Sequence, residues 1–310
     1  MNSVPTDRPH LLDAYQTPLL ETTVLATADG IERRHRIPGE SGLLRLTRSR
    51  TLEQVPHHGV DGQYLLLSRA DEGVWAVTVP SERTLADHVL SGAVEENPQP
   101  AEEGLHAAGR GLRLLHGIVP PTTAGALPAP AWITRAGGWL AGLDPDFHAA
   151  HAVATWRQDL GAAAWRALTE AAGVYRAPGH LVHGAPGMGA LVIPPTGTAS
   201  LVTGPWLAMG DPITDVGYLV GELLESTATG QITRDTGQRL LRAFLEGYGF
   251  DLQTSHTTVA ALRILVHQRD WIALTRGQPG LGRSGVCALI RHLTLAPTAP
   301  DSPPPAQENI

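Results

Sequence analysis

Apolar and polar positions change period about a quarter of the way along the chain. From Leu19 to Val79 the apolar runs are short, β-branched and bounded by Gly or Pro. Thr22 to Ala28 closes on Asp29-Gly30, a hairpin turn pair, and Ile31 to Ile37 forms the returning strand. Leu43 to Leu46, Tyr64 to Leu67 and Val74 to Val79 read as further strands, with room at Thr51 to Gln54 for about one helical turn. After Pro80 the period becomes that of a helix. Thr84 and Asp87 make a capping-box start, and Leu105, Ala108, Leu112 and Leu115 recur on one helical face. Trp156, Leu160, Ala164 and Leu168 do the same, and Tyr218 to Leu224, Leu240 to Tyr248 and Ala260 to Leu274 are three more helical stretches.

Strands followed by helices predict an α+β, two-lobed arrangement, with a small antiparallel β lobe and a mainly helical one. The expected divisions are an N-terminal segment at 1–18, a β-rich lobe at 19–80, a helical lobe at 81–296 and a Pro-rich disordered tail at 297–310.

Composition narrows the chemistry. The 310 residues carry 30 Asp plus Glu against 23 Lys plus Arg, a formal net charge of −7, which is the wrong sign for collecting nucleic-acid phosphates. All 23 basic residues are arginine, so a Schiff base or a phosphate-gripping lysine has no ammonium to use. One cysteine, Cys287, excludes an intrachain disulfide and a thiolate metal cluster; its apolar neighbours predict a buried small residue. No leader-like pattern opens the chain and no run reaches about 18 apolar residues, so the expectation is a soluble cytoplasmic protein without membrane or nucleic-acid partners. An Arg-only, Ala/Gly/Pro-rich composition fits a GC-rich bacterial genome.

The segment richest in chemistry runs from Leu181 to Asp215. It contains His183-Gly184-Ala185-Pro186-Gly187-Met188-Gly189-Ala190 and, after a second apolar run, Gly210-Asp211-Pro212-Ile213-Thr214-Asp215. These paired loops resemble those of the aminoglycoside phosphotransferase and choline kinase group. In that group the first loop is of the type His-Gly-Asp-Leu-His-x-x-Asn, and the second is a strand of the type Ile-Asp-Trp/Phe ending in Gly-Asp-Pro-x-x-Asp. His183, Gly184, Gly210, Asp211, Pro212 and Asp215 match. Leu105 to Pro120 resembles the family helix ending in Leu-His, and Val77 to His88 resembles the hinge between the lobes and the helix after it.

The resemblance implies a kinase-like fold and also places the departures. Ala185 stands where the family has its catalytic aspartate, Ala190 where it has a metal-binding asparagine, and Thr203 where it has the magnesium-binding aspartate. Methyl groups neither hold Mg²⁺ nor accept a proton. The expectation is therefore a degenerate kinase with weak or absent binding of ATP and Mg²⁺ and no resident cofactor or metal, acting as a binding or scaffolding subunit for a protein or peptide. A hetero-complex is one form of this. Relatives of the fold serve bacterial peptide-modifying pathways, which makes a peptide or its modifying enzyme a concrete partner. The alternative is a divergent phosphotransferase that modifies a hydroxyl of a small metabolite or peptide.

Other residues receive roles by the same weighing. Arg45, read on a third strand, is a candidate phosphate or ligand contact with Glu53 as its helix partner. Trp206, Met188 and Ser81 are candidates for lining the cleft, and the resemblance implies that Trp206 fills the vacated metal space. His183, Gly184, Asp211 and Asp215 are read as structural, holding the loop and capping a helix. Gly184 to Gly189 fits no phosphate-loop pattern, and His57-His58 point to opposite faces of an extended chain. The tryptophans at 156, 165 and 271 have the spacing of core residues.

Overall fold

A computed structural model describes residues 9–17, 19–54, 64–71, 73–175, 179–196, 198–249, 254–278, 280 and 282–295. His57, His58 and the tail at 297–310 lie outside them. Strands β1 (His10–Gln16), β2 (Glu21–Thr27), β3 (Gly30–Arg36), β5 (Arg69–Asp71) and β6 (Val74–Val79) form one antiparallel sheet in the order β1-β2-β3-β6-β5. The hairpin at Asp29-Gly30 turns where expected, with Gly30 at φ +124°. The sheet begins at His10, within the segment set apart as 1–18, because β1 pairs with β2 along its length.

Leu43 to Leu46 is not a strand. It opens α1 (Gly42–Glu53), whose N-cap Ser41 accepts the Leu44 amide at 3.2 Å. The Ser-Gly preceding the apolar run was a cap, and a run of four apolar or basic residues fits either period. Arg45 consequently sits on a helix and pairs with Glu40 at 3.0 Å, while Glu53 accepts from Ser49 at 3.3 Å.

The helical lobe contains α2 (Leu85–Leu90), α4 (Gln99–His116), α5 (Ala131–Leu140), α6 (Phe147–Val174), α7 (Ile213–Ala228), α8 (Arg234–Tyr248), α9 (Thr254–Leu274) and α10 (Arg283–Leu295), with a short α3 (Ala93–Glu96) after α2. The capping box at Thr84 and Asp87 is present in full. Gly109 and Gly247 let α4 and α8 touch backbone to backbone: a β-carbon on Gly247 would lie 2.1 Å from the His106 carbonyl. One core joins α4, α7 and α8 to the sheet of the first lobe, and a second gathers Trp132, Trp139, Trp156 and Trp165 between α5, α6, α9 and α10. Trp271 is 39% exposed, so the core reading fails there, and Cys287 is buried as expected. Among the described residues no helix is long and apolar enough to cross a membrane.

Between the lobes run β4 (Leu65–Leu67), β7 (His180–Val182), β8 (Leu191–Val192), β9 (Ser200–Thr203) and β10 (Ala208–Gly210). β4 lies parallel to β9, which ties a strand of the first lobe to the loop system of the second.

Candidate functional site

The paired loops meet as the sequence pattern requires. β7 pairs with β10, so His183-Gly184 and Asp211 leave adjacent strands, and Asp215 in the first turn of α7 points back between them. Asp215 is fully buried and accepts the His183 amide at 2.6 Å, the Gly184 amide at 2.9 Å and His116 Nε2 at 2.9 Å. A carboxylate only accepts, so His116 carries its proton on Nε2, and Nδ1 accepts the Tyr248 hydroxyl at 2.8 Å. Burial and the nearby Asp215 and Asp211 push the Tyr248 phenol up to about 12, so it keeps its proton. Gly184 is held at φ +87°, where a β-carbon would lie 2.0 Å from the Trp206 carbonyl, so this position needs glycine.

His183 donates Nε2–H to the Val202 carbonyl at 2.7 Å and accepts the Ala185 amide on Nδ1 at 3.4 Å. Burial lowers its pKa, so the ring is neutral and both nitrogens are used in fixing the loop. Asp211 is exposed and accepts the amide of Ile213, the first residue of α7, at 2.9 Å across a local turn.

Ala185, Gly187, Gly189 and Ala190 border a cavity of about 280 Å³, with Trp206 and Tyr15 also on its wall. Of the three cleft candidates, only Trp206 faces it. Met188 is buried in the core, its amide donating to Glu222 at 2.6 Å, and the Ser81 hydroxyl accepts the Arg83 amide at 3.1 Å. Thr203 is fully buried and its hydroxyl has no partner among the described residues.

The third strand carries what the sequence reading missed. Arg33 and His35 both lie on the buried face of β3. Arg33 is 2% exposed and donates to the Glu82 carbonyl, in the segment joining β6 to α2, at 3.0 Å, and to the Tyr15 hydroxyl at 2.7 Å. His35 borders the cavity and contacts Thr22 at 3.1 Å through Nδ1. Burial, aided by the Arg33 charge, lowers its pKa to about 4. Alternation along Ile31 to Ile37 put Arg33 and His35 on one face, and that was the available signal. Glu40 is likewise used up, accepting from Arg45 at 3.0 Å, Arg48 at 2.6 Å and Trp75 at 3.2 Å, while Arg48 Nε donates to the Leu207 carbonyl at 3.0 Å.

The low pKa of His35 has a definite sign. A folded-state value near 4 against 6.5 unfolded means the unfolded chain takes up the proton first as pH falls. Stability is expected to fall by about 3 kcal/mol from this residue as pH drops from 7 to 4. His35→Gln should flatten that part of the curve, as followed by urea unfolding at several pH values; an unchanged slope would assign the loss to other groups.

Solved structures share this fold. Spectinomycin phosphotransferase, solved with ADP and spectinomycin, superposes with a TM-score of 0.52 at 12% identity, over 93% of this chain and 92% of that one. APH(2″)-IIa in its ternary complex with streptomycin and ATP gives 0.53 at 10% identity, over 91% and 93%. The choline kinase LicA from Streptococcus pneumoniae gives 0.50 at 13% identity, over 91% and 94%. The fold is that of the aminoglycoside phosphotransferases. No protein-family model matches the chain, and no curated protein matches it in sequence.

The phosphotransferase fold implies Mg²⁺ and a nucleoside triphosphate, and the residues here do not fit them. Mg²⁺ is a hard cation held through carboxylates and other oxygens. At the loop positions in question stand two methyl groups, Ala185 and Ala190, and one buried neutral hydroxyl, Thr203. Among the described residues no three His, Cys, Asp or Glu side chains gather to hold a metal ion. A kinase carries a lysine on its third strand. Here that strand offers the neutral His35 and an Arg33 already bonded to protein atoms.

Proposed function

We propose that this chain is a kinase-fold protein without phosphoryl-transfer chemistry, acting as a binding or scaffolding subunit for a peptide or for the enzyme that modifies one. The observation that carries this reading is the loop from Ala185 to Ala190, which borders the cleft with alanine and glycine. Phosphoryl transfer is catalysed by positioned charge and metal, together with a carboxylate that takes the hydroxyl's proton. Loss of the base alone is worth roughly 10²–10⁴-fold. Two features support the binding half of the proposal. The replaced groups make the cleft less costly to desolvate, and Trp206 and Tyr15 give it aromatic walls.

The test is an assay of phosphate release and transfer from ATP and GTP with Mg²⁺ or Mn²⁺ over a panel of acceptors. No turnover above blank is expected. Magnesium-dependent turnover that disappears on changing Asp211 or Asp215 would establish a divergent phosphotransferase instead. Pull-down from the native host tests the binding half. A stable complex should form, and Trp206→Ala should weaken it by about 2 kcal/mol, well beyond Arg234→Ala. Unchanged affinity in a folded Trp206→Ala protein would move the partner to an outer face.

A further inference from the structure

A second cavity, of about 230 Å³, lies between α7 and α9 and shares only Glu222 with the cleft among the described lining residues. The charged groups on its wall are spent on one another. Glu225 is buried and accepts from Arg263 and from Gln268 Nε2 at 2.8 Å, and His267 Nδ1 lies 2.8 Å from the same carboxylate. Glu222 accepts from Arg263 at 3.0 Å and from the Met188 amide at 2.6 Å. Burial works to raise the Glu225 pKa, but the bond from His267 and the charge of Arg263 outweigh it and leave the pKa below the usual value. Glu225 is therefore a carboxylate, which only accepts, and His267 carries a proton on Nδ1.

Two side chains on this wall stay open. The His267 side chain is 49% exposed, and with Nδ1 held by Glu225 its Nε2 is left toward the cavity. Trp271 stands four residues on, at the next turn of the same helix face, and is 39% exposed. An exposed indole is a flat apolar surface that favours a second aromatic ring, and the imidazole nitrogen without a proton is an acceptor. A charged ligand would find no free partner: both carboxylates are used, and Arg263 donates from both terminal nitrogens. The wall fits an uncharged aromatic ring that carries a donor.

We infer that this second cavity binds a phenol, its ring against Trp271 and its hydroxyl donating to His267 Nε2. A volume of about 230 Å³ suits one substituted ring, not a larger ligand. The bond from Nδ1 to a buried carboxylate fixes which ring nitrogen meets the ligand. The site is separate from the cleft, so it stands whether or not the cleft holds a peptide.

The experiment is calorimetric titration at about pH 8, where an ordinary imidazole is neutral and a phenol keeps its proton, with N-acetyl-tyrosine amide, its O-methyl ether and N-acetyl-phenylalanine amide. The phenol should bind about three- to tenfold more tightly than either control, the worth of one neutral hydrogen bond. His267→Phe should remove that preference and leave the phenylalanine amide bound as before. Trp271→Ala should weaken all three ligands at least about fivefold, which gives a second reading if His267→Phe misfolds. Titration with p-cresol and with a capped tripeptide carrying tyrosine at its centre separates the sources: equal affinities identify a small phenol, and a tighter tripeptide identifies a peptide side chain. No binding of the phenol, equal binding of phenol and ether, or an unaltered preference in folded His267→Phe overturns the inference. So does phenol binding that is lost in folded Trp206→Ala and kept in Trp271→Ala, because the ring would then lie in the cleft.

Discussion

Asp215→Ala is expected to destabilise the protein by about 3–5 kcal/mol, the penalty of leaving several buried donors without their shared acceptor. The carboxylate is fully buried and receives three donors, two from the loop backbone at His183 and Gly184 and one from His116. Removal leaves all three without an acceptor, each at about 1–3 kcal/mol where water cannot reach, less whatever relaxation recovers. Native stabilities lie at about 5–15 kcal/mol, so this one change consumes a large share. Asp215→Asn keeps an oxygen toward the loop and should cost less. Asp211→Ala should cost about 1 kcal/mol, because Asp211 is exposed and its side chain accepts the Ile213 amide in a local turn. Denaturant unfolding of the three variants measures the order. Equal losses at Asp211 and Asp215 would mean that the loop does not hang on Asp215 alone.

That contrast shows how the sequence exposed the site and where it stopped. His183-Gly184 and Gly210-Asp211-Pro212-x-x-Asp215 were legible because fixed spacing and unusual residue types coincide in one short stretch. The helices were legible because long amphipathic periods leave little choice, and Thr84 with Asp87 announced its helix through paired caps. Leu43 to Leu46 was misread because a short run carries no period of its own, and the deciding signal, Ser41 as N-cap, lay just before it. β1 was missed because all seven of its residues are exposed, so it shows no buried alternation and owes its place to pairing with β2. Met188 and Ser81 were placed at the cleft by their neighbours in sequence. Their side chains turn away because the loop reverses at Gly187 to Ala190 and the Ser81 hydroxyl is spent on the Arg83 amide. Arg135, Trp132 and Glu222 come from α5 and α7, distant in sequence from the loop they face, and no local pattern announces such a meeting.

The second large effect concerns Arg33, which bonds the segment that joins β6 to α2. Arg33→Ala is expected to tighten adenosine binding at least about tenfold over wild type, with or without Mg²⁺. A purine needs a flat apolar slot and backbone groups at its edge. Here Val77 and Val79 of the first lobe pack with Val192 and Val202 of the second, Ile31 adding to the cluster, and Arg33 already donates to the Glu82 carbonyl. On this expectation the guanidinium competes with a base for that carbonyl. For a base to enter, the wild-type chain must break a hydrogen bond from a charged donor, worth about 1.5–3 kcal/mol, which corresponds to roughly ten- to a hundredfold in affinity. Alanine removes both the competitor and its volume, whereas Arg33→Met removes the donors and keeps much of the volume, so the methionine variant should gain less. Calorimetric titration with adenosine on all three proteins, each checked for a cooperative unfolding transition, gives the comparison. If wild type binds adenosine as tightly as a folded Arg33→Ala protein, or more tightly, then Arg33 does not compete with the base and belongs among the residues that hold it.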